Sequence, residues 1–180
     1  LEEINDESIS KLAKNRVVGV ILPSTAYLLR LKLPPVRQMI DAGVPIALAS
    51  DYNPNCPVLS MPTVMNMGCV MTRMTMEEAL VASTINAAAS IAVADEVGSI
   101  EQGKRADFLL LSTSSWEQVV YLGMGGALQV APPGSNLSGQ QTFAPVPVIH
   151  EVYCQGKCVV RDGQLVEDPS APATKTEVDT

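Results

Sequence analysis

Asp51 is the residue of this 180-residue sequence whose type and position best suit it for chemistry. It directly follows the apolar run 44–50, and a turn-prone, asparagine-rich loop at 52–55 comes after it. The run is typical of a buried parallel strand, and α/β folds bind their ligands at the carboxyl ends of such strands. A carboxylate there can bind a metal ion, or orient a water molecule and accept its proton. The spacing alone also allows a turn cap, because aspartate before Asn-Pro is common turn chemistry.

The other side chains that commonly bind metals are few. The one histidine, His150, cannot form a site of several histidines, and its strand-like surroundings indicate a sheet or surface position. Cys154 and Cys158 are three residues apart in a strand-like segment, which makes a poor zinc knuckle, and Cys56 and Cys69 add no second close pair. We interpret the four cysteines as free thiols, which predicts a cytoplasmic protein because the cytosol keeps thiols reduced.

The composition is typical of an α/β protein with a sizeable core. Hydrophobic residues make up 47% of the chain and aromatic residues only 4%, so aliphatic side chains supply the core. The length suits one domain or pieces of two. The net charge of −7 argues against a nucleic-acid partner, and no apolar run reaches the roughly 18 residues that cross a bilayer. The start of the sequence lacks both Met and the basic residues of a signal peptide, which indicates a fragment.

The hydrophobic pattern predicts a strand–helix–strand unit that ends at Asp51. The apolar run 17–22 predicts a buried strand that Pro23 stops. A helix then starts at the prolines 34 and 35, which a first helical turn tolerates, and ends near Gly43. The strand 44–50 follows at once, so order and length suit a crossover between two parallel strands.

Helices are also predicted before and after this unit. A short amphipathic helix is expected at 6–15, and a second at 61–71 with a proline in its first turn. Thr75 and Glu78 form the capping-box pattern of a third helix, which we expect to continue to residue 89.

The C-terminal third predicts short strands joined by turns. A turn-rich segment at 98–104 leads into a strand at 108–111, and a hairpin at 148–160 turns at residues 155–157. Between them, residues 132–147 are rich in proline, glycine and glutamine, and predict a long exposed loop or disordered insertion.

An ordered series of motifs resembles the C-terminal part of the metal-dependent amidohydrolases. The series is LASD at 48–51, TMEEAL at 75–80, TINAA at 84–88 and GSIEQGKRADF at 98–108. The resemblance is strongest to the members that open a cyclic amide in histidine breakdown, carried by LPSTAY at 22–27, LPP at 33–35, DYNPN at 51–55 and MPTVM at 61–65. It runs from residue 1 to about 126, lapses over the proline-rich insertion and resumes near His150.

The resemblance implies the C-terminal part of a TIM-type (β/α)8 barrel together with part of a small β-sandwich. The strands predicted at 17–22 and 44–50 would then be the last two barrel strands. Residues 1–95 would belong to the barrel and residues 96–167 to the sandwich. A Pro/Gly-rich insertion would occupy 131–147, and 168–180 would be a disordered tail.

The resemblance also implies a divalent metal, zinc or iron, and a site that this chain only partly supplies. Asp51 matches the family's aspartate of the last barrel strand, which serves as metal ligand and catalytic base. The family's other ligands are histidines earlier in the barrel, which this chain lacks. The family's substrate contacts map to Asn53, Asn55 and Cys56, although many members have glycine and serine or threonine at the last two positions.

The resemblance implies an enzyme that hydrolyses a cyclic amide C–N bond in a small molecule. We expect no nucleic-acid or membrane partner. The full-length protein is expected as a possible homodimer. Another amidohydrolase activity, on a cyclic ureide or as a deaminase, is the first alternative. A truncated, non-catalytic product is the second. Residue 1 aligns just after a functional histidine of the family, so we expect the isolated 180-residue chain to be inactive.

Overall fold

The computed structural model describes residues 3–122 and 148–166. Within these residues, a parallel pair of strands surrounded by helices is followed by a four-stranded antiparallel sheet. In chain order, the elements are α1 (Asp6–Lys14), β1 (Gly19–Ile21), α2 (Pro23–Leu28), α3 (Val36–Asp41), β2 (Ile46–Leu48), α4 (Met61–Thr72), α5 (Met76–Ser83), α6 (Ile85–Ser90), β3 (Phe108–Leu111), α7 (Glu117–Tyr121), β4 (Ile149–Cys154), β5 (Lys157–Arg161) and β6 (Gln164–Leu165).

The predicted strand–helix–strand unit is confirmed. β1 and β2 are parallel, with Gly19 opposite Ile46 and Ile21 opposite Leu48, and α3 lies between them in sequence. Gly43 ends the connection with a φ of +83°, the left-handed conformation that glycine adopts without penalty. The paired strands are three residues each, shorter than the predicted runs.

The prediction that Pro23 only stops a strand was incomplete. Pro23 also begins α2, because a proline at the first helical position needs no hydrogen bond for its nitrogen and already has a helical φ. The helix starts two residues after β1 ends, and its first residues, Pro23 to Ala26, are buried. The first turn of α2 therefore lies beside the carboxyl ends of both strands.

Small side chains let α4 and α5 approach β2 closely. Ala79 and Ala82 of α5 are fully buried against the core. A Cβ atom on Gly68 of α4 would lie 3.1 Å from Leu48 Cδ1, so no larger residue fits there without movement. Asn86 of α6 donates from Nδ2 to the carbonyl of Ile46 at 2.9 Å and so ties α6 to β2.

The predicted helix from Thr75 to residue 89 is in fact two helices. The capping box is confirmed, since Thr75 and Glu78 each bond the backbone N–H of the other. At Thr84, however, φ is −123° and ψ −97°, which interrupts the helix between α5 and α6. The Thr84 hydroxyl donates to the carbonyl of Leu80, an intrahelical bond of a kind known to bend helices.

The four-stranded sheet has the order β3–β4–β5–β6, all antiparallel. The predicted hairpin is confirmed, with its turn at Gln155 and Gly156. Asp107 accepts from the backbone N–H of Gln155 at 2.7 Å and so ties that turn to the start of β3. Phe108 and Tyr153 stack across β3 and β4 with ring centroids 4.5 Å apart.

Several sequence predictions lie outside the described residues, among them the insertion at 131–147 and the tail at 168–180. The helix α7 was not predicted from the sequence. No helix in the described ranges has the length and apolar character needed to span a membrane.

Candidate functional site

Asp51 lies just past the carboxyl end of β2, where the strand pattern predicted a site. Its backbone has a φ of +50°, in the left-handed region that aspartate tolerates better than most residues. The Asp51 residue is exposed. The strand therefore presents a carboxylate at its tip instead of burying it.

Two hydroxyl groups from the first turn of α2 hold this segment. Thr25 Oγ1 donates to Asp51 Oδ2 at 2.8 Å. Ser24 Oγ donates to the carbonyl oxygen of Ser50 at 2.9 Å, and Ser24 is completely buried. The carboxyl end of β1 thus supplies the groups that fix the residues after β2.

The site loop, residues 52–56, is closed by its own hydrogen bonds. Asn53 Oδ1 accepts from the backbone N–H of Asn55 at 2.9 Å, and Asn53 Nδ2 donates to the carbonyl of Asp51 at 2.5 Å. Asn53 and Cys56 also exchange backbone hydrogen bonds of 3.2 and 2.9 Å. The side chain that makes the turn is therefore Asn53, while the carboxylate of Asp51 bonds Thr25.

Cys56 is the buried end of the site loop. It is 1% exposed, and its thiol donates to the carbonyl oxygen of Ser50 at 3.5 Å. The Cys56 sulfur atom is therefore not accessible from the solvent. The predicted contacts Asn53 and Asn55 lie on the accessible part of the loop, with Asn55 exposed.

The two oxygens of Asp51 differ in their surroundings. Oδ2 is occupied by the Thr25 hydroxyl, and within the described residues no side chain or N–H group bonds Oδ1. An exposed carboxylate with one oxygen anchored and the other open can coordinate a cation or accept a proton from water. Asp51 therefore fits the role of one ligand in a metal site.

A complete metal site is not assembled by the part of the chain that the structure describes. No three side chains of His, Cys, Asp or Glu come together there in a way that could hold an ion. His150 lies on β4 of the antiparallel sheet, where Nδ1 is 2.8 Å from Asp162 Oδ1. This confirms the predicted sheet position of His150.

Sequence reasoning missed Ser24 and Thr25 as residues of the site. A signal was nevertheless present, because both follow the carboxyl end of the apolar run 17–22 just as Asp51 follows the run 44–50. The carboxyl ends of neighbouring parallel strands meet at one edge of a sheet, so polar residues after both strands converge.

The chain is similar in sequence to proteins of one family. Residues 4–164 match the profile described as the amidohydrolase family. The chain is 54% identical over 121 residues to a probable imidazolonepropionase of Nematostella vectensis, an alignment covering 67% of this chain and 28% of that protein. It is 46% identical over 118 residues to the imidazolonepropionase of Geobacillus kaustophilus, covering 65% of this chain and 28% of that protein. The chain thus spans little more than a quarter of the length of these relatives.

A solved structure shows the same fold. An adenosine deaminase from Xanthomonas campestris with bound zinc superposes with a TM-score of 0.69 at 18% sequence identity, over 93% of this chain and 37% of that one.

Proposed function

Because the chain belongs to the amidohydrolase family, we propose that it is the C-terminal part of a metal-dependent hydrolase that opens a cyclic amide. The proposed substrate is 4-imidazolone-5-propanoate and the product N-formimino-L-glutamate. Relatives about half identical to this chain carry the name imidazolonepropionase, which supports that substrate. The observation that carries the proposal is the exposed Asp51 carboxylate, anchored through one oxygen beyond a buried parallel strand.

Asp51 is proposed to act as a proton carrier and as one metal ligand. In the proposed reaction, the oxygen of water adds to the ring carbonyl carbon while Asp51 accepts the proton of that water. The C–N bond then breaks, and Asp51 passes the proton to the departing nitrogen. A divalent metal, zinc or iron, supplies Lewis acidity that makes water a stronger nucleophile near neutral pH. Its other ligands are proposed to come from outside this chain.

The site loop is proposed to bind the substrate. Asn53 and Asn55 offer amide groups beside the carboxylate, and amides suit the polar edge of a cyclic amide because they both donate and accept hydrogen bonds. Cys56 would contribute through its backbone, since its side chain is buried.

The proposal extends to the architecture of the whole protein. β1 and β2 would be the last two strands of an eight-stranded barrel, within a portion formed by residues 1–95. The sheet β3–β6 would be part of the sandwich portion, residues 96–167. A cytoplasmic location and a homodimer remain predictions for the full-length protein.

The test needs the chain together with the preceding part of the fold. Residues 1–180 are joined to the corresponding N-terminal part of the Nematostella vectensis relative; we refer to this fusion as the completed chain. It is assayed with 4-imidazolone-5-propanoate, a cyclic ureide and a purine base, with the 180-residue chain alone as control. We expect turnover of the imidazolone alone, and only by the completed chain. Preference for the ureide or the purine would replace the proposed substrate, and no turnover of any of the three would favour a non-catalytic protein.

A further inference from the structure

The Thr25 hydroxyl forms its hydrogen bond with a residue outside its own helix. Helical threonine hydroxyls commonly bond a carbonyl of their own helix, and Thr72 does this with the carbonyl of Gly68. Thr25 Oγ1 instead bonds Asp51 Oδ2 at 2.8 Å, across 26 positions of sequence. Thr25 is 9% exposed, so water does not readily replace this donor.

The backbone just before Asp51 is held by hydrogen bonds that do not involve Thr25. The carbonyl oxygen of Ser50 accepts from Ser24 Oγ at 2.9 Å and from the Cys56 thiol at 3.5 Å, and both donors are buried. These bonds fix the peptide before Asp51, whose φ of +50° is costly for a residue with a side chain. What remains to be set is the rotation of the carboxylate itself, and Thr25 is its side-chain partner.

We propose that Thr25 is a positioning residue that fixes the Asp51 carboxylate, holding Oδ2 on the protein and leaving Oδ1 for the reacting water and the metal. This inference rests on the function proposed for Asp51. An exposed aspartate would otherwise sample several rotamers. A hydrogen bond from a buried hydroxyl to a charged oxygen is short and strong, and favours the rotamer in which the bond forms.

The proposal is tested by three variants of the completed chain. Thr25→Val removes the hydroxyl and keeps the shape, Thr25→Ser restores the hydroxyl, and Thr72→Val makes the same change at a buried threonine that bonds only its own helix. If Thr25→Val does not fold, Thr25→Ala replaces it, because it removes the same hydroxyl without a new methyl group beside Asp51. The readouts are kcat and KM, bound metal, and crystal structures of the metal-free proteins.

For Thr25→Val we expect a loss of about 10- to 100-fold in kcat or in metal affinity, with KM changed by less than about twofold. Its crystal structure should show the Asp51 carboxylate turned away from its original position. Thr25→Ser should recover kcat to within about threefold and restore the bond to Asp51, and Thr72→Val should behave as the parent.

Two results would overturn the proposal. One is an unmoved Asp51 carboxylate in metal-free Thr25→Val; the other is an equal loss of activity in Thr25→Val and Thr72→Val, which would show a general packing effect. If the completed chain turns over no substrate, the proposed function fails, but the crystal structures still decide whether Thr25 positions Asp51.

Discussion

At the scale of single residues, Glu78 joins two parts of the fold. Its carboxylate accepts the backbone N–H of Thr75 at 2.8 Å and completes the capping box of α5. It also pairs with Arg37 of α3 through two bonds of 2.8 and 2.9 Å. The bonds from Arg37 are the main reason why the pKa of Glu78 is lowered from its ordinary value of 4.5. One carboxylate therefore fixes both the start of α5 and its contact with α3.

This pair makes part of the stability depend on pH. The folded-state pKa of Glu78 is lowered. The contribution of this ion pair to the free energy of unfolding is therefore fully present above the ordinary carboxyl pKa of 4.5, and it is lost as pH falls through the folded-state pKa of Glu78. Glu78→Gln keeps the side-chain shape but removes the charge opposite Arg37. In the completed chain at pH 7, it should lower the free energy of unfolding by about 1–2 kcal/mol.

Denaturant titrations at pH 7 and at a pH below the lowered folded-state pKa of Glu78 measure this effect. The loss caused by Glu78→Gln should shrink at the lower pH, where the parent carboxylate becomes protonated. Glu77→Gln, on the exposed side of the same first turn, is the matched control and should change stability by less than about 0.5 kcal/mol. An equal loss in both variants at both pH values would show that the ion pair contributes nothing.

The sequence predicted the position of Asp51 but not its partner. An apolar run that ends in a carboxylate is visible locally, and so are the turn residues that follow it. The bond from Thr25 joins residues 26 positions apart, and only the parallel pairing of β1 with β2 brings them together. The capping box of Thr75 and Glu78 was predictable because its two members lie within one helical turn.

At the scale of elements, the segment that follows α6 depends on close backbone approach at Gly98. This residue has a φ of +93°, and a Cβ atom there would lie 2.9 Å from both Ala88 Cβ and Ile85 Cα. Gly103, five residues later, has a φ of +94° and no atom within 4 Å of such a Cβ. The two glycines have nearly the same φ but differ in the space around a Cβ atom.

Because the space around the two glycines differs, replacing each by alanine should lower the free energy of unfolding by different amounts. In the completed chain, Gly103→Ala should cost about 1 kcal/mol, because only the left-handed conformation is penalised. Gly98→Ala should cost about 1–3 kcal/mol more, because the backbone of α6 must also move. Urea unfolding of both variants measures the difference. Equal midpoints would show that the segment around Gly98 shifts freely, against the packing described here.

Elements with a local signal were predicted well, and those without one were not. β1, α3 and β2 follow from apolar runs separated by prolines and a glycine. The start of α2 at Pro23 was not predicted, because a proline is compatible both with the end of a strand and with the first turn of a helix. The break at Thr84 has no breaker residue in the sequence; its hydroxyl bond to Leu80 becomes visible only in the structure.

At the scale of the whole molecule, the described part of the chain leaves much apolar surface uncovered. Within it, β1 pairs only with β2, and isolated two-stranded sheets are marginal in water. Each 100 Å² of apolar surface that stays in water lowers the free energy of unfolding by about 2.5 kcal/mol. The whole free energy of unfolding of a typical domain is only roughly 5–15 kcal/mol. Among residues 3–122 and 148–166, the most exposed aliphatic side chains are Leu59, Val70, Ile91, Ile100 and Leu165, each more than 70% exposed.

We therefore expect the isolated 180-residue chain to aggregate, to form oligomers, or to lack a cooperative transition. It should show no hydrolase activity and no stoichiometric metal. Coexpression with the preceding part of the fold should rescue its solubility, because that part would cover the open edges of β1 and β2. Light scattering and calorimetry of the purified chain check this. A sharp, monomeric melting transition would show that the chain is a self-sufficient domain.

The measurement that most directly tests the central claim is the turnover of 4-imidazolone-5-propanoate by the completed chain with Asp51 and with Asp51→Asn. The substitution keeps the side-chain shape and can still accept the bond from Thr25, but it cannot carry a proton. We predict a loss of about 100- to 10,000-fold in kcat with an unchanged unfolding midpoint. An Asp51→Asn protein that keeps a substantial share of the parent's kcat would contradict the role of Asp51 on which this account depends.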